Sequence, residues 1–159
     1  MIILQLMLFC MLFTAMVKYA VRGGAVDGLF FYPRPVRERA IKIGLTTREE
    51  MNRKKKIFMT EFYLVMLLAL LLIVGAWNHV RDFKTAWLQS LLFLEVMNWY
   101  DGIFIDRLWV GRSSFWLLPG CEDIPYVQTW AQVMKKRILL SFVWTAGAAA
   151  AAGLVILIF

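Results

Sequence analysis

Four long apolar stretches, separated by polar and turn-forming segments, make up most of the sequence. A helix of about 20 apolar residues crosses a hydrocarbon core of roughly 30 Å. Residues 2–21, 57–77 and 138–159 meet this condition with almost no charge. Residues 85–105 have the right length but contain Glu95 and Asp101. The pattern predicts an all-α, polytopic membrane protein, with four transmembrane helices in one integral membrane domain, 1–159.

The distribution of basic residues favours four spans and predicts the orientation. Segment 22–56 contains ten Lys and Arg residues, 79–84 contains two, and 106–137 contains five. Basic loops stay on the cytoplasmic side, so loops 22–56 and 106–137 are expected in the cytoplasm and both termini outside. With only three spans, the seven later basic residues would face outward. We expect a bacterial plasma membrane. We also expect an uncleaved first helix, because no positive charge precedes its apolar stretch.

Composition agrees with this picture and narrows the classes of function. The chain is 61% hydrophobic with a mean hydropathy of +0.65, whereas globular domains are roughly 45–50% apolar. Orientation in the membrane explains the net charge of +7, and we expect no nucleic-acid partner. The only cysteines are Cys10 and Cys121, and His79 is the only histidine. No metal-ligand spacing is present, so we expect no metal and no cofactor.

Both cytoplasmic loops contain signals for amphipathic helices. Pro35 favours a helix start, and Gly44 favours its end, so we expect a short helix on the inner leaflet. Thr46 or Thr47 can cap a helix that runs into the second span. Asp123, two residues before a proline, is expected to cap the helix that leads into the fourth span.

The third span contains the polar residues that are hardest to bury. Glu95 lies near its middle, where an acidic side chain costs roughly 2.5–3.5 kcal/mol on insertion scales. At about 100° per residue, Asn98, Gly102 and Asp106 share the face of Glu95, whereas Asp101 is about 120° away. Such a stripe is expected to face the bundle interior or a water-filled cavity, not lipid. The candidate ligand-binding residues are Glu95, Asn98, Asp101, Asp106, Arg107, Arg112, Glu122 and Asp123.

These residues have two interpretations. Carboxylates and arginines that pair near the inner surface can simply hold the helices together. Alternatively they form a ligand or ion site, because ionisable groups inside a membrane are usually functional.

Two further segments resemble a known group of proteins. The stretches Asp106-Arg-Leu-Trp-Val110 and Trp116-Leu-Leu-Pro-Gly-Cys-Glu-Asp123 are similar to sequences in small, uncharacterised bacterial four-helix membrane proteins. The segment Tyr32–Ala40 adds to the resemblance. It implies the four-helix arrangement but no activity, and therefore no catalytic residue.

Three functions remain open from the sequence. The first is a membrane protein that binds or processes a small or lipid-like ligand at the cytoplasmic half of helix three, with membrane lipid as its partner. No nucleophile or base is identifiable, so whether it is an enzyme stays open. The second is a non-catalytic accessory subunit of a larger membrane complex, in which the small residues of 147–153 contact another helix or a second copy. The third is an ion or proton carrier, although the outer half-spans offer only Gln5, Gln89 and Ser90.

Overall fold

The computed structural model describes residues 1–159, and every regular element in it is a helix. Two of the long helices include π-helical segments, in which hydrogen bonds run from residue i to residue i+5. The first half of the chain contains α1 (Ile2–Ala20), a 3₁₀ segment (Ala25–Phe31), α2 (Arg34–Lys42), and α3 (Arg48–Leu70) with its π-helical extension (Leu71–Trp77). The next helix consists of α4 (Phe83–Tyr100), its π-helical extension (Asp101–Trp109) and a last turn, α5 (Val110–Arg112). A 3₁₀ turn (Ser114–Trp116) and α6 (Trp130–Ile158) follow.

The four long helices alternate in direction and form one bundle. Near the start of α1, the Gln5 side chain donates a hydrogen bond to Asn78, in the turn between α3 and α4, at 2.7 Å. At the end of α6, the Phe159 ring lies against Gly75. Both chain termini are therefore at the end of the bundle that carries residues 78–82, here called the turn end. Segments 21–47 and 113–129 lie at the opposite end, here called the loop end.

Three helices are long and apolar enough to cross a membrane: Ile2–Ala20, Arg48–Trp77 and Trp130–Ile158. The first agrees with the predicted span 2–21. The other two extend the predicted spans 57–77 and 138–159 toward the loop end. The predicted span 85–105 lies within one continuous helix, Phe83–Arg112, which packs along α6 and also contacts α1.

Aromatic side chains and small residues together build the bundle core. The Phe9 and Phe93 rings meet edge to face at 5.4 Å between centroids, an arrangement that aromatic quadrupoles favour. On α6, Ala148 and Ala151 are fully buried in the same core, where their small side chains let α4 approach closely. The alanine face of residues 147–153 thus packs within the chain, whereas Gly147 and Gly153 are exposed.

The two long loops pack against each other in a second hydrophobic cluster, here called the loop core. Its members are Val21, Ala25, Leu29, Tyr32, Val36, Ala40, Met51, Trp116, Leu118 and Cys121. The Tyr32 hydroxyl donates to the Trp116 carbonyl oxygen at 2.7 Å, and burial raises the pKa of Tyr32, which keeps that donor protonated. The apolar face of α2 is therefore covered by the second loop, not by a lipid leaflet as its amphipathic pattern suggested.

Local signals at the helix ends are partly confirmed. Gly44 adopts a φ of +82° just after α2, and Thr47 accepts a hydrogen bond from the Glu50 amide at the start of α3. The prediction for Asp123 is wrong. Thr129 caps α6 in a reciprocal pair with Gln132, while Asp123 lies 3.5 Å from Arg39. The capping box satisfies two amides at once, which explains why it determines the start of the helix.

Candidate functional site

A buried arginine, Arg137 on α6, is at the centre of the polar cluster. Its side chain is 2% exposed and forms two ion pairs, Nη1 with Asp101 Oδ2 at 2.7 Å and Nη2 with Asp106 Oδ2 at 2.6 Å. Lys136 Nζ also contacts Asp106 Oδ2, at 3.3 Å. Charge-assisted hydrogen bonds of this length are strong, and the planar guanidinium fits two carboxylates at once.

The π-helical extension of α4 explains why both aspartates reach the same arginine. In a regular α-helix, residues five apart point about 140° away from each other at ~100° per residue. In a π-helix the residues i and i+5 are hydrogen-bonded neighbours on one face. The segment Asp101–Trp109 is π-helical, so Asp101 lies on the same side as Asp106. The α-helical prediction had placed Asp101 off the stripe.

The cluster continues along α4 and α6 through hydrogen bonds of Asn98 and Ser141. The Asn98 amide nitrogen donates to the Arg137 carbonyl oxygen at 3.0 Å, and its amide oxygen accepts from Arg137 Nη1 at 3.3 Å. The Ser141 hydroxyl donates to Glu95 Oε2 at 2.8 Å. The four predicted residues of the third span are thus brought together, with Arg137 and Ser141 as partners from α6.

Two buried atoms of the cluster have no hydrogen-bond partner. They are Arg137 Nε and Glu95 Oε1. Gly102 explains how the arginine fits: a Cβ at this position would be 2.8 Å from Arg137 Nε and 3.0 Å from Val133 Cγ1. The missing side chain lets the guanidinium lie against the α4 backbone, a close approach that glycine permits.

A cavity of about 310 Å³ ends on this cluster. Its polar end contains the side chains of Asn98, Asp101, Asp106, Lys136 and Arg137. Most of the other lining residues are apolar or aromatic: Phe13, Val17, Phe30, Phe31, Phe58, Met59, Phe62, Met97, Ile105, Val110, Trp116, Leu140, Val143 and Trp144, with Tyr32, Tyr63, Tyr126 and Gln128 completing the wall. The volume is near the lower limit of small-molecule pockets, roughly 300–1,000 Å³. The lining is thus mostly apolar, with the charged side chains gathered in one part of it.

Glu95, although part of the cluster, does not line the cavity, and neither do the four remaining predicted residues. Arg107 donates to the Gln128 carbonyl oxygen at 2.6 Å and stacks over Trp130. Arg112 and Glu122 are exposed and form no ion pair, and Asp123 pairs only with Arg39. No group of three or more His, Cys, Asp and Glu side chains is placed to hold a metal ion.

A separate polar network lies at the turn end. Asn78 donates to Gln89 at 2.8 Å and exchanges hydrogen bonds with Gln5. Ser90 is buried and its hydroxyl has no partner. No hydrogen bond joins this network to Glu95, and Phe93 and Leu94 are buried in the core between the two.

Sequence reasoning missed Arg137, Lys136 and Ser141. The apolar stretch begins at residue 138, which assigns Arg137 to the preceding loop, whereas α6 begins at Trp130 and places Arg137 inside the bundle. One signal in the sequence could have identified this polar face of α6. Ser141 follows Arg137 by four residues, so the two polar side chains lie on the same face of a helix. Comparison of the chain with protein-family models, with curated proteins and with solved structures finds no match.

Proposed function

We propose that this chain is a four-span membrane protein that binds a lipid-like amphiphile in the cavity at the loop end. The ligand's apolar chain would lie against the aromatic wall, and its head would contact the side chains of Asp101, Asp106, Lys136 and Arg137. One observation carries the proposal: a mostly apolar cavity of about 310 Å³ is lined in one part by four charged side chains that gather around the buried Arg137. Small-molecule sites typically combine apolar walls with a few convergent polar groups.

The loop core supports four crossings. Tyr32 in the first loop hydrogen-bonds to Trp116 in the second, which favours placing both loops on one side of a membrane. With three crossings the second loop would be on the opposite side from the first. The high content of Lys and Arg in these loops favours the cytoplasm for the loop end and the outside for both termini.

Binding is favoured over catalysis by the state of the charged groups. Both aspartates at the cavity are ion-paired through Oδ2, Asp101 with Arg137 and Asp106 with Arg137 and Lys136. The Tyr32 hydroxyl donates a hydrogen bond to the Trp116 carbonyl oxygen. No side chain there is paired as a nucleophile with a base. The accessory-subunit alternative loses one support, since the alanine face of α6 is already covered within the chain.

Photolabelling with a lipid tests the proposal. The protein is reconstituted in nanodiscs with a diacylglycerol that bears a diazirine on one acyl chain, irradiated, digested and mapped by mass spectrometry. We expect labels on Phe13 and Met97, which are buried and line the cavity. Labelling of Phe142, which is 73% exposed on α6, reports surrounding lipid and serves as the internal reference.

A matched pair of variants separates the cavity from the surface. Val17 is buried in the cavity wall, whereas Val65 is partly exposed and does not line it. Val17→Phe should reduce labelling of Met97 on the order of tenfold, about 1.4 kcal/mol of binding free energy, because the larger ring occupies space that the acyl chain would fill. Val65→Phe should leave it unchanged. Labels confined to Phe142 in the wild-type protein would refute a lipid-binding cavity.

A further inference from the structure

We infer that the ligand is a neutral membrane lipid with a hydroxyl-bearing head, and that its chain enters the cavity from the bilayer between α3 and α6. The inference rests on the proposed function and specifies its ligand. It combines the charge balance at the polar end, the free hydrogen-bonding atoms there, and the place where the wall of the cavity reaches the outer surface.

The charges at the polar end cancel. Four charged side chains line the cavity, Asp101 and Asp106 with Lys136 and Arg137, and the aspartates are ion-paired to these cations. Beside the two cations a phosphate head would also meet two carboxylates, and beside the two carboxylates an ammonium head would also meet the lysine and the arginine. Arg137 is buried and the aspartates are only 16–23% exposed, so like charges brought together here are poorly screened by water and unfavourable. The charges that line the cavity cancel, Glu95 lying outside the lining, and this balance favours a head without net charge.

The free atoms of the cluster suit a hydroxyl group. Oδ2 of each aspartate is bonded to Arg137, but Oδ1 of Asp101 and of Asp106 receives no hydrogen bond from the protein. Lys136 Nζ has a single contact, at 3.3 Å. The cavity thus offers both acceptors and donors. A hydroxyl group is one donor and two acceptors and can use both kinds at once.

Between α3 and α6, residues that line the cavity are also exposed on the outer surface of the bundle. These helices pack together near the turn end, where Val74 joins Ala152 and Val155 in one cluster. Nearer the loop end, the cavity lies between Tyr63 on α3 and Val143 on α6, and each is 52% exposed. In the proposed membrane orientation both face lipid. An acyl chain can therefore pass from the bilayer into the cavity without crossing water.

Three probes that carry the same photoreactive chain test the head preference. They are a diacylglycerol, a phosphatidic acid and a trimethylammonium-propane lipid, each in nanodiscs at equal mole fraction. Diacylglycerol should label Phe13 and Met97 at least about tenfold more than either charged probe, because each charged head meets a like charge. Labelling of Phe142 normalises for local lipid concentration.

A pair of neighbouring lysines supplies the charge test. Lys136→Gln removes one cation from the cavity, so labelling by the trimethylammonium lipid should rise severalfold. Lys135→Gln is the matched control, since Lys135 is exposed and does not line the cavity. Equal labelling of Phe13 by all three probes, or preference for a charged one, would overturn the head assignment while leaving lipid binding intact. No cavity labelling by any probe would overturn both.

Discussion

Arg137 is the one charged side chain of this protein that is almost completely buried. Removing a charge from water is costly, and the cost is recovered only when partners with good geometry are present. Here two carboxylates and the Asn98 amide oxygen surround the guanidinium. Lysine could not replace it, because a single ammonium lacks the fork that reaches two carboxylates.

Removing this arginine should be strongly destabilising. Arg137→Met leaves two carboxylates without their main partner, so we expect a loss of about 3–5 kcal/mol in unfolding free energy. The measurement is denaturant-induced unfolding in detergent, followed by circular dichroism. Arg112→Met, at an exposed arginine without an ion pair, should change stability by less than about 0.5 kcal/mol.

A compensated variant checks the explanation. Arg137→Met combined with Asp101→Asn and Asp106→Asn removes all three charges, and it should recover part of the loss. If the triple variant is less stable than Arg137→Met alone, the uncompensated carboxylates are not the cause.

At the scale of the element, the π-helical extension of α4 is what assembles the site. A π-helical segment accommodates an additional residue relative to an α-helix, and such segments are frequent at functional sites. Asp101–Trp109 holds both aspartates on the α6 side. The exposed side of the same segment includes Ile103 and Phe104. The extra residue is therefore accommodated on the exposed side, while Asp101 and Asp106 stay aligned on the side that faces α6.

Single-residue deletions test this arrangement. Deleting Phe104 leaves Asp101 and Asp106 four residues apart, a spacing that places them on one face of an ordinary α-helix. Deleting Leu92, an exposed residue of the α-helical part, rotates everything after it by about 100° relative to what precedes it. We expect the first deletion to cost much less stability than the second, measured by thermal unfolding in detergent. Equal losses would contradict the proposed role of the π-helix.

At the scale of the whole molecule, the bundle core and the loop core depend on each other. The loops that form the loop core also contribute Tyr32, Trp116 and Tyr126 to the cavity wall. The site is thus closed by segments far apart in sequence. A proton or ion carrier is less well supported, since the polar network around Asn78 at the turn end has no hydrogen bond to the cluster around Arg137.

The proposed topology can be measured by cysteine accessibility. In a Cys10→Ala, Cys121→Ala background, cysteine is introduced at His79, Lys42 or Arg112. A membrane-impermeant maleimide should label H79C in intact cells, and label K42C and R112C only after permeabilisation, because both loops are expected inside. Labelling of R112C but not of K42C in intact cells would contradict four crossings, and labelling of both would reverse the orientation.

Much of the helical framework could be predicted from sequence, because its causes are local. Apolar stretches of sufficient length indicate the long helices, and Gly44 and Thr47 mark helix ends through their own backbone geometry and hydrogen bonds. The stripe of Glu95, Asn98 and Asp106 was found for the same reason, since helical periodicity depends only on spacing.

The tertiary structure alone decided which charges meet. The sequence determined that α4 contains carboxylates that need partners. It did not determine that Arg137 of α6 is the partner, because the two residues are 31 positions apart and meet only through the packing of the helices. It also could not show the π-helical register that aligns Asp101 with Asp106. The partner of the apolar α2 face was also decided by the tertiary structure, which covers it with the second loop. An amphipathic pattern requires an apolar partner, but it does not indicate whether lipid or protein provides it.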